Sequence, residues 1–277
     1  MDPDAGVDIR ACCAAVYGSE LARLLLGGQL HPGGDGLTRR LADLVGIGPG
    51  DRVLDVASGL GATARLLSAE RGARVHGVDL SPGLVAAARR EAAGAGLADV
   101  TAFDVGDAEQ LPVEDASFDV VVCECALCTF PDQAAAVAEL GRALRPGGRV
   151  GIADVTLDRD RLPPDLDTPI GRVLCVAGAL PVSGYQRLLR DGGFTDVVVE
   201  AHPEAALATV DSVLAGLEAA REALRGLFDV GEALRLARLA RDAVREGVIG
   251  YALIAATVGE AAPVIDAAGH RVDGALA

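Results

Sequence analysis

The chain has 277 residues, 51% of them hydrophobic, enough for one large domain or for a domain carrying an insertion. Its formal net charge of −15 argues against nucleic acid or an anionic membrane surface as the main partner, because both select basic surfaces. No apolar run is long enough to span a bilayer, and the acidic start Met1-Asp-Pro-Asp4 lacks the basic end of a secretory signal. The expectation is therefore a cytoplasmic chain whose six cysteines stay thiols.

Residues 8–27 space Ala, Leu and Val as a helix does, and a second helix is expected over 36–45 before the glycines at 46–50. Strands and helices then alternate: a strand at 52–57, a helix at 61–71, a strand at 74–79, and a helix at 82–95 started by Ser81-Pro82. A third strand precedes Asp107-Ala108. Strand four is Phe118–Cys123, a helix covers 132–144, and strand five is Val150–Asp154. Such alternation predicts a parallel sheet with helices on both faces. A polar loop (156–169), a helix before Gly178, a segment around Tyr185–Arg190 and a strand at 196–200 follow. Residues 204–247 pattern as two or three amphipathic helices, and a last strand covers 249–257. The chain thus divides into an N-terminal helical lid (1–46), a core (47–203), a helical insertion (204–248), a last core strand (249–258) and a tail without periodicity (259–277).

The most informative stretch is Arg52-Val-Leu-Asp-Val-Ala-Ser-Gly-Leu-Gly-Ala-Thr63, followed by Gly77-Val-Asp79. It predicts a strand, a glycine turn, a helix start, and a second strand ending on an acid, the order found in nucleotide-binding folds. Gly59 and Gly61 lack a Cβ, so a ligand can approach the backbone. The helix that follows turns unpaired N–H groups toward that ligand. Asp79 is placed to accept from both hydroxyls of a ribose. The third glycine of the dinucleotide pattern is missing, because position 64 is Ala.

A D-x-x-x-G-x-G turn with an acid closing strand two resembles the class I S-adenosylmethionine (SAM) methyltransferases. Asp107-Ala108, Phe118–Cys123 after Leu111-Pro112, and Leu144-Arg-Pro-Gly-Gly-Arg149 before strand five fall where that family has them. The resemblance covers residues 40–200 and implies a Rossmann-like α/β fold. The sheet would have seven mostly parallel strands, with the helical block inserted between the last two. It also implies a cofactor site. Asp55 suits the methionyl ammonium, Gly59 and Gly61 the close backbone approach, and Asp79 the ribose. Leu80 would pack on adenine, Asp107 and the Ala108 N–H would meet its edge, and the Cys123 backbone would line the methionyl part. Tyr17 would contribute from the lid.

Cysteines fall at Cys12-Cys13, at Cys123-Glu-Cys125-Ala-Leu-Cys128 and at Cys175. Ligands in open α/β sheets sit at the carboxyl ends of the strands, where Cys125 and Cys128 lie, so all three groups could converge on the methyl acceptor. Each is equally compatible with packing, since cysteine is a small buried hydrophobe. A structural zinc site fits less well, because paired ligand knuckles are absent.

A narrower resemblance follows. Cys175-Val-Ala-Gly-Ala-Leu180 and Phe118–Leu127 are similar to segments of the arsenite methyltransferases, with Cys12-Cys13 and Tyr17-Gly18 fitting loosely. It implies a metalloid substrate held by thiolates: Cys175 and Cys125 first, with Cys128, Cys12 or Cys13 beside them. Departures are Ala57 and Ala177 where glycine is usual, and no cysteine after Cys175. A small organic acceptor is the alternative, with Glu124, His31 or Tyr185 as acid or base. A non-catalytic sensor of thiophilic ions is a third. No nucleic-acid or membrane partner is expected, and a homodimer is left open.

Overall fold

In a computed structural model, residues 31–168, 171, 175–176, 178–226, 228–259, 264–265 and 271–272 are described. Helix α1 (Gly34–Leu44) precedes β1 (Arg52–Val56), and α2 (Ala62–Arg71), β2 (Arg74–Asp79), α3 (Pro82–Gly94) and β3 (Thr101–Val105) follow. Then come β4 (Phe118–Glu124), α4 (Gln133–Ala143), β5 (Leu144–Leu157), α5 (Val182–Asp191) and β6 (Phe194–Ala201). Helices α6 (Pro203–Ala219) and α7 (Val230–Arg245) lead to β7 (Ile249–Val258). One seven-stranded sheet has the order β3-β2-β1-β4-β5-β7-β6. Every neighbouring pair is parallel except those made by β7, which runs antiparallel to both β5 and β6.

The apolar pattern explains the layering. Phe118–Cys123 is buried at every position, as a central parallel strand covered on both faces must be. On one face α1, α2, α3, α6 and α7 cover the sheet with residues such as Leu41, Leu67, Val85 and Val244. On the other, α4 presents Ala136, Val137, Leu140 and Ala143 at helical spacing, and α5 adds Tyr185 and Leu189. Helix α3 starts where Ser81 accepts the Leu84 N–H and Pro82 fixes the first turn, and α4 where Asp132 accepts from Ala135.

The sheet and the insertion agree with the sequence expectation, the helical block being two helices that pack on each other and on β7, and two details are corrected. Strand β5 is longer than 150–154, because its pairing with β7 runs from Arg149↔Thr257 to Leu157↔Ile249. The tail carries a short antiparallel ladder, Val264–Ile265 with Arg271–Val272. The helix expected over 8–27 lies outside the described residues. So does most of the segment where a helix was expected before Gly178.

Candidate active site

A cleft opens at the carboxyl ends of β1, β2, β3 and β4. Its wall includes Asp55, Gly59, Asp79, Leu80, Asp107, Ala108, Glu124 and Cys125. The backbone behind it is shaped by sterics. Gly61 sits at φ 69°, where a Cβ would come 2.6 Å from the Phe103 ring. At Gly77 a Cβ would stand 2.5 Å from that ring and 2.7 Å from the Ser58 hydroxyl, so only glycine lets β2 pass beneath the turn. Position 77 has no special φ, and the constraint is close packing alone.

Asp79, 8% exposed, is held from both sides. Its Oδ2 accepts the Gly59 N–H at 2.8 Å and its Oδ1 accepts the Ser81 N–H at 2.8 Å. Burial raises its pKa, and those two donors oppose the rise. Asp55 is 2% exposed, with an Oδ2 that has no hydrogen-bond partner among the described residues. Its pKa is pushed well up, first by burial, then by the charges of Glu124 and Asp79. Leu80 is 41% exposed on the cleft wall, an apolar face left for a flat ring. The Asp107 Oδ1 accepts the Glu109 N–H at 2.9 Å.

Glu124 closes β4. Its carboxylate accepts the Thr63 hydroxyl at 2.8 Å and the Thr38 hydroxyl at 3.1 and 3.2 Å, and His31 Nδ1 stands 3.8 Å away.

Beyond β4 the thiols gather. Cys125 lines the cleft, and its Sγ lies 3.5 Å from that of Cys175, fifty positions later. Cys175 Sγ is also 3.3 Å from the Cys125 carbonyl. Both residues hold left-handed backbone, φ 53° and 64°, a conformation uncommon for cysteine and typical of functional loops. Cys128 is buried beside them. The thiol–thiol contact with Cys175 and then burial raise the Cys125 pKa. For Cys128 burial comes first, then the Cys175 thiol. Beneath lies Asp154, fully buried, accepting the Cys128 N–H at 2.9 Å and the Val155 N–H at 2.8 Å. Burial and the neighbouring Cys175 push its pKa to about 7.

Asp55, Gly59, Asp79, Leu80, Asp107 and Ala108 thus meet in one cleft, while Gly61 packs behind it against Phe103. Cys123 is wholly buried in the sheet, and its neighbour Glu124 lines the cleft. Cys12, Cys13 and Tyr17 lie outside the described residues. Among the described residues, no group of three or more His, Cys, Asp or Glu side chains is arranged to hold a metal ion. The sequence alone assigns no site role to Thr38, Asp154 or Tyr251, nor a partner to Thr63 at the end of the glycine turn. Only the assembled sheet brings them to the site.

This strand order, with a glycine turn after β1 and an acid closing β2, defines a Rossmann-like nucleotide-binding fold. A family model described as "Methyltransferase domain" matches residues 54–152. Methyltransferase GfsG of Streptomyces halstedii is 30% identical over 221 residues, 73% of this chain and 77% of that protein. An arsenite methyltransferase of Halobacterium salinarum is 36% identical over 156 residues, 54% of this chain and 39% of that protein. Phosphoethanolamine N-methyltransferase 2 of Haemonchus contortus was solved with phosphomonomethylethanolamine and S-adenosylhomocysteine. It superposes with a TM-score of 0.76 at 20% identity, covering 92% of this chain and 61% of that one. The chain belongs to the SAM-dependent methyltransferases.

The cleft fits that cofactor. The bare Asp55 oxygen suits an ammonium, the Asp79 carboxylate a ribose, and exposed Leu80 an adenine face. Bound there, SAM supplies a methyl group on a positively charged sulfur.

Proposed function

We propose that the methyl acceptor is a trivalent metalloid such as arsenite, seated on Cys125 and Cys175 with Cys128 beside them. The observation that carries this reading is the 3.5 Å between the two sulfurs. Two bonds of about 2.3 Å, the length thiolates make to a soft metal centre, span ~3.5 Å when they meet at roughly 100°. Soft sulfur ligands select soft, thiophilic centres. A lowered thiol pKa would favour thiolate binding, but here burial and mutual contact raise the Cys125 and Cys128 pKa values, so the thiols react in their protonated form. Each protonated thiol condenses with a hydroxyl of arsenous acid, forming an As–S bond and releasing water. The adduct is neutral, so an apolar, acid-lined seat favours it over free thiolates. Its lone pair stays on arsenic, and no base is required. Catalysis by this chain is then positioning: Cys125 at the cleft wall holds the acceptor toward the cofactor half.

SAM consumption with arsenite and a small thiol, followed by arsenic speciation, tests the reading. Methylated arsenic is expected from the wild type and only background from Cys175→Ser or Cys125→Ser. Cofactor binding without any arsenic product would overturn it.

One observation favours a second reading. His31 Nδ1, 3.8 Å from Glu124, forms a cleft-lining pair able to deprotonate an organic hydroxyl or amine. In that case His31→Ala abolishes turnover of the organic acceptor and the cysteine variants do not.

A further inference from the structure

Three carboxylates are buried at the carboxyl ends of β1, β2 and β4: Asp55, Asp79 and Glu124. A buried carboxylate is stable only when its charge is met. Here the partners are mostly neutral. Asp79 takes two backbone N–H groups. Asp55 has an N–H from Ala64 and one bare oxygen. Glu124 takes the hydroxyls of Thr38 and Thr63, and its side chain is 4% exposed. Among the described residues no arginine is paired with any of the three, and the one base near them is His31, 3.8 Å from Glu124.

The sheet register sharpens the point. Asp55 lies opposite Val122 on β4, so Asp55 and Glu124 share one face, two residues apart along adjacent strands. Their charges repel, and part of the upward shift at Asp55 comes from Glu124. Asp79 is committed to the turn and to a ribose. Among the described residues that leaves two carboxylates facing one cleft with no arginine between them, a place for a positively charged ligand.

The cofactor carries two cations, an ammonium and a sulfonium, and loses the second when its methyl group leaves. Asp55, with its bare oxygen, answers the ammonium, which both forms carry. We propose that Glu124 is the counter-charge to the sulfonium, the residue by which the cleft prefers charged SAM over its neutral spent form, S-adenosylhomocysteine. The two threonines fix that charge from α1 and α2, so it is in place before the ligand arrives. The preference speeds exchange after turnover, because methyl transfer cancels the attraction that held the cofactor.

This inference rests on the cofactor assignment and not on the acceptor. Isothermal titration of the full chain with SAM and with S-adenosylhomocysteine, wild type beside Glu124→Gln, tests it. Glutamine keeps an oxygen for the threonine hydroxyls and removes only the charge. The expected result is a loss on the order of tenfold in SAM affinity, with S-adenosylhomocysteine affinity changed by less than about twofold. Equal losses for both ligands would make Glu124 a partner of the ammonium or of the fold, and no loss for either would remove it from the site. Both results overturn the proposal and leave the cofactor assignment standing. A wild type that binds neither ligand would sink the assignment itself.

Discussion

The two halves of the cleft are built by different means. In the cofactor half, around β1, β2 and β3, the backbone makes the site. Gly61 and Gly77 admit the Phe103 ring, and Asp79 ties the turn to β2 through two backbone N–H groups. In the half proposed to seat the acceptor, beyond β4 and β5, side chains from distant segments meet. Cys125 and Cys175 meet across fifty positions, and Asp154 accepts the N–H of their neighbour Cys128. A site made of backbone permits few sequences, whereas a site made of side chains can change its acceptor while the sheet stays as it is.

The largest expected effect breaks the cofactor half alone. Asp79→Ala removes the carboxylate offered to the ribose and leaves the Gly59 and Ser81 N–H groups without their partner. Lost hydrogen bonds to a charged group cost about 1.5–3 kcal/mol each, so SAM affinity should fall by ~100-fold or more. Metalloid binding by the thiols, followed by calorimetry without cofactor, should be unchanged. If both fall together, the halves are one cooperative unit and the contrast drawn above is wrong.

The same contrast explains how far the sequence could be understood unaided. Asp55, Gly59, Gly61 and Asp79 form a local pattern spanning two strands and one turn, and local patterns carry their geometry with them. The mostly parallel sheet followed from the alternation of strands and helices, whereas the strand order needed the fold. Cys125 and Cys175 stood out only as residue types, and their pairing needed the fold. Glu124 was visible as a candidate acid or base, but its two threonine partners come from α1 and α2, 86 and 61 positions away. Asp154 and Tyr251 were invisible, because a lone acid or tyrosine in an apolar strand shows nothing of what its tip will face. The extra length of β5 was hidden too, being set by its partner β7 and not by its own residues.

A middle-sized effect sharpens the acceptor half. The folded-state pKa of Asp154 is raised to about 7, mainly by burial. Its unfolded value is near 3.9. The folded form therefore keeps a proton that the unfolded form has already released, so this group's contribution is fully present below pH ~4 and is lost as pH rises toward 7. The slope approaches about 1.4 kcal/mol per pH unit within that window. Denaturant unfolding between pH 4 and 7 should show wild-type stability falling with pH, with Asp55 adding in the same direction. Asp154→Asn should flatten that fall even though its absolute stability is lower. Parallel curves for the two proteins would mean that Asp154 is ionised in the folded state throughout.

The smallest effects come from two tyrosines buried in the same half, and they should have opposite signs. The Tyr185 hydroxyl donates to the Val155 carbonyl at 3.0 Å, fastening α5 to β5. Phenylalanine there leaves that carbonyl short of a partner and should cost about 1 kcal/mol. The Tyr251 hydroxyl, on β7, is equally buried but has no hydrogen-bond partner among the described residues, and burial first, then its closeness to Cys125 and Glu124, raises its pKa. A buried hydroxyl without a partner is a cost that the fold bears, so Tyr251→Phe should be neutral or stabilising by a few tenths of a kcal/mol. A residue retained at such a cost is best explained by the acceptor. KM for the acceptor should rise in Tyr251→Phe while SAM affinity holds. If instead Tyr251→Phe destabilises the protein as much as Tyr185→Phe, its hydroxyl is satisfied within the fold, and the polar wall of the acceptor half ends at Asp154.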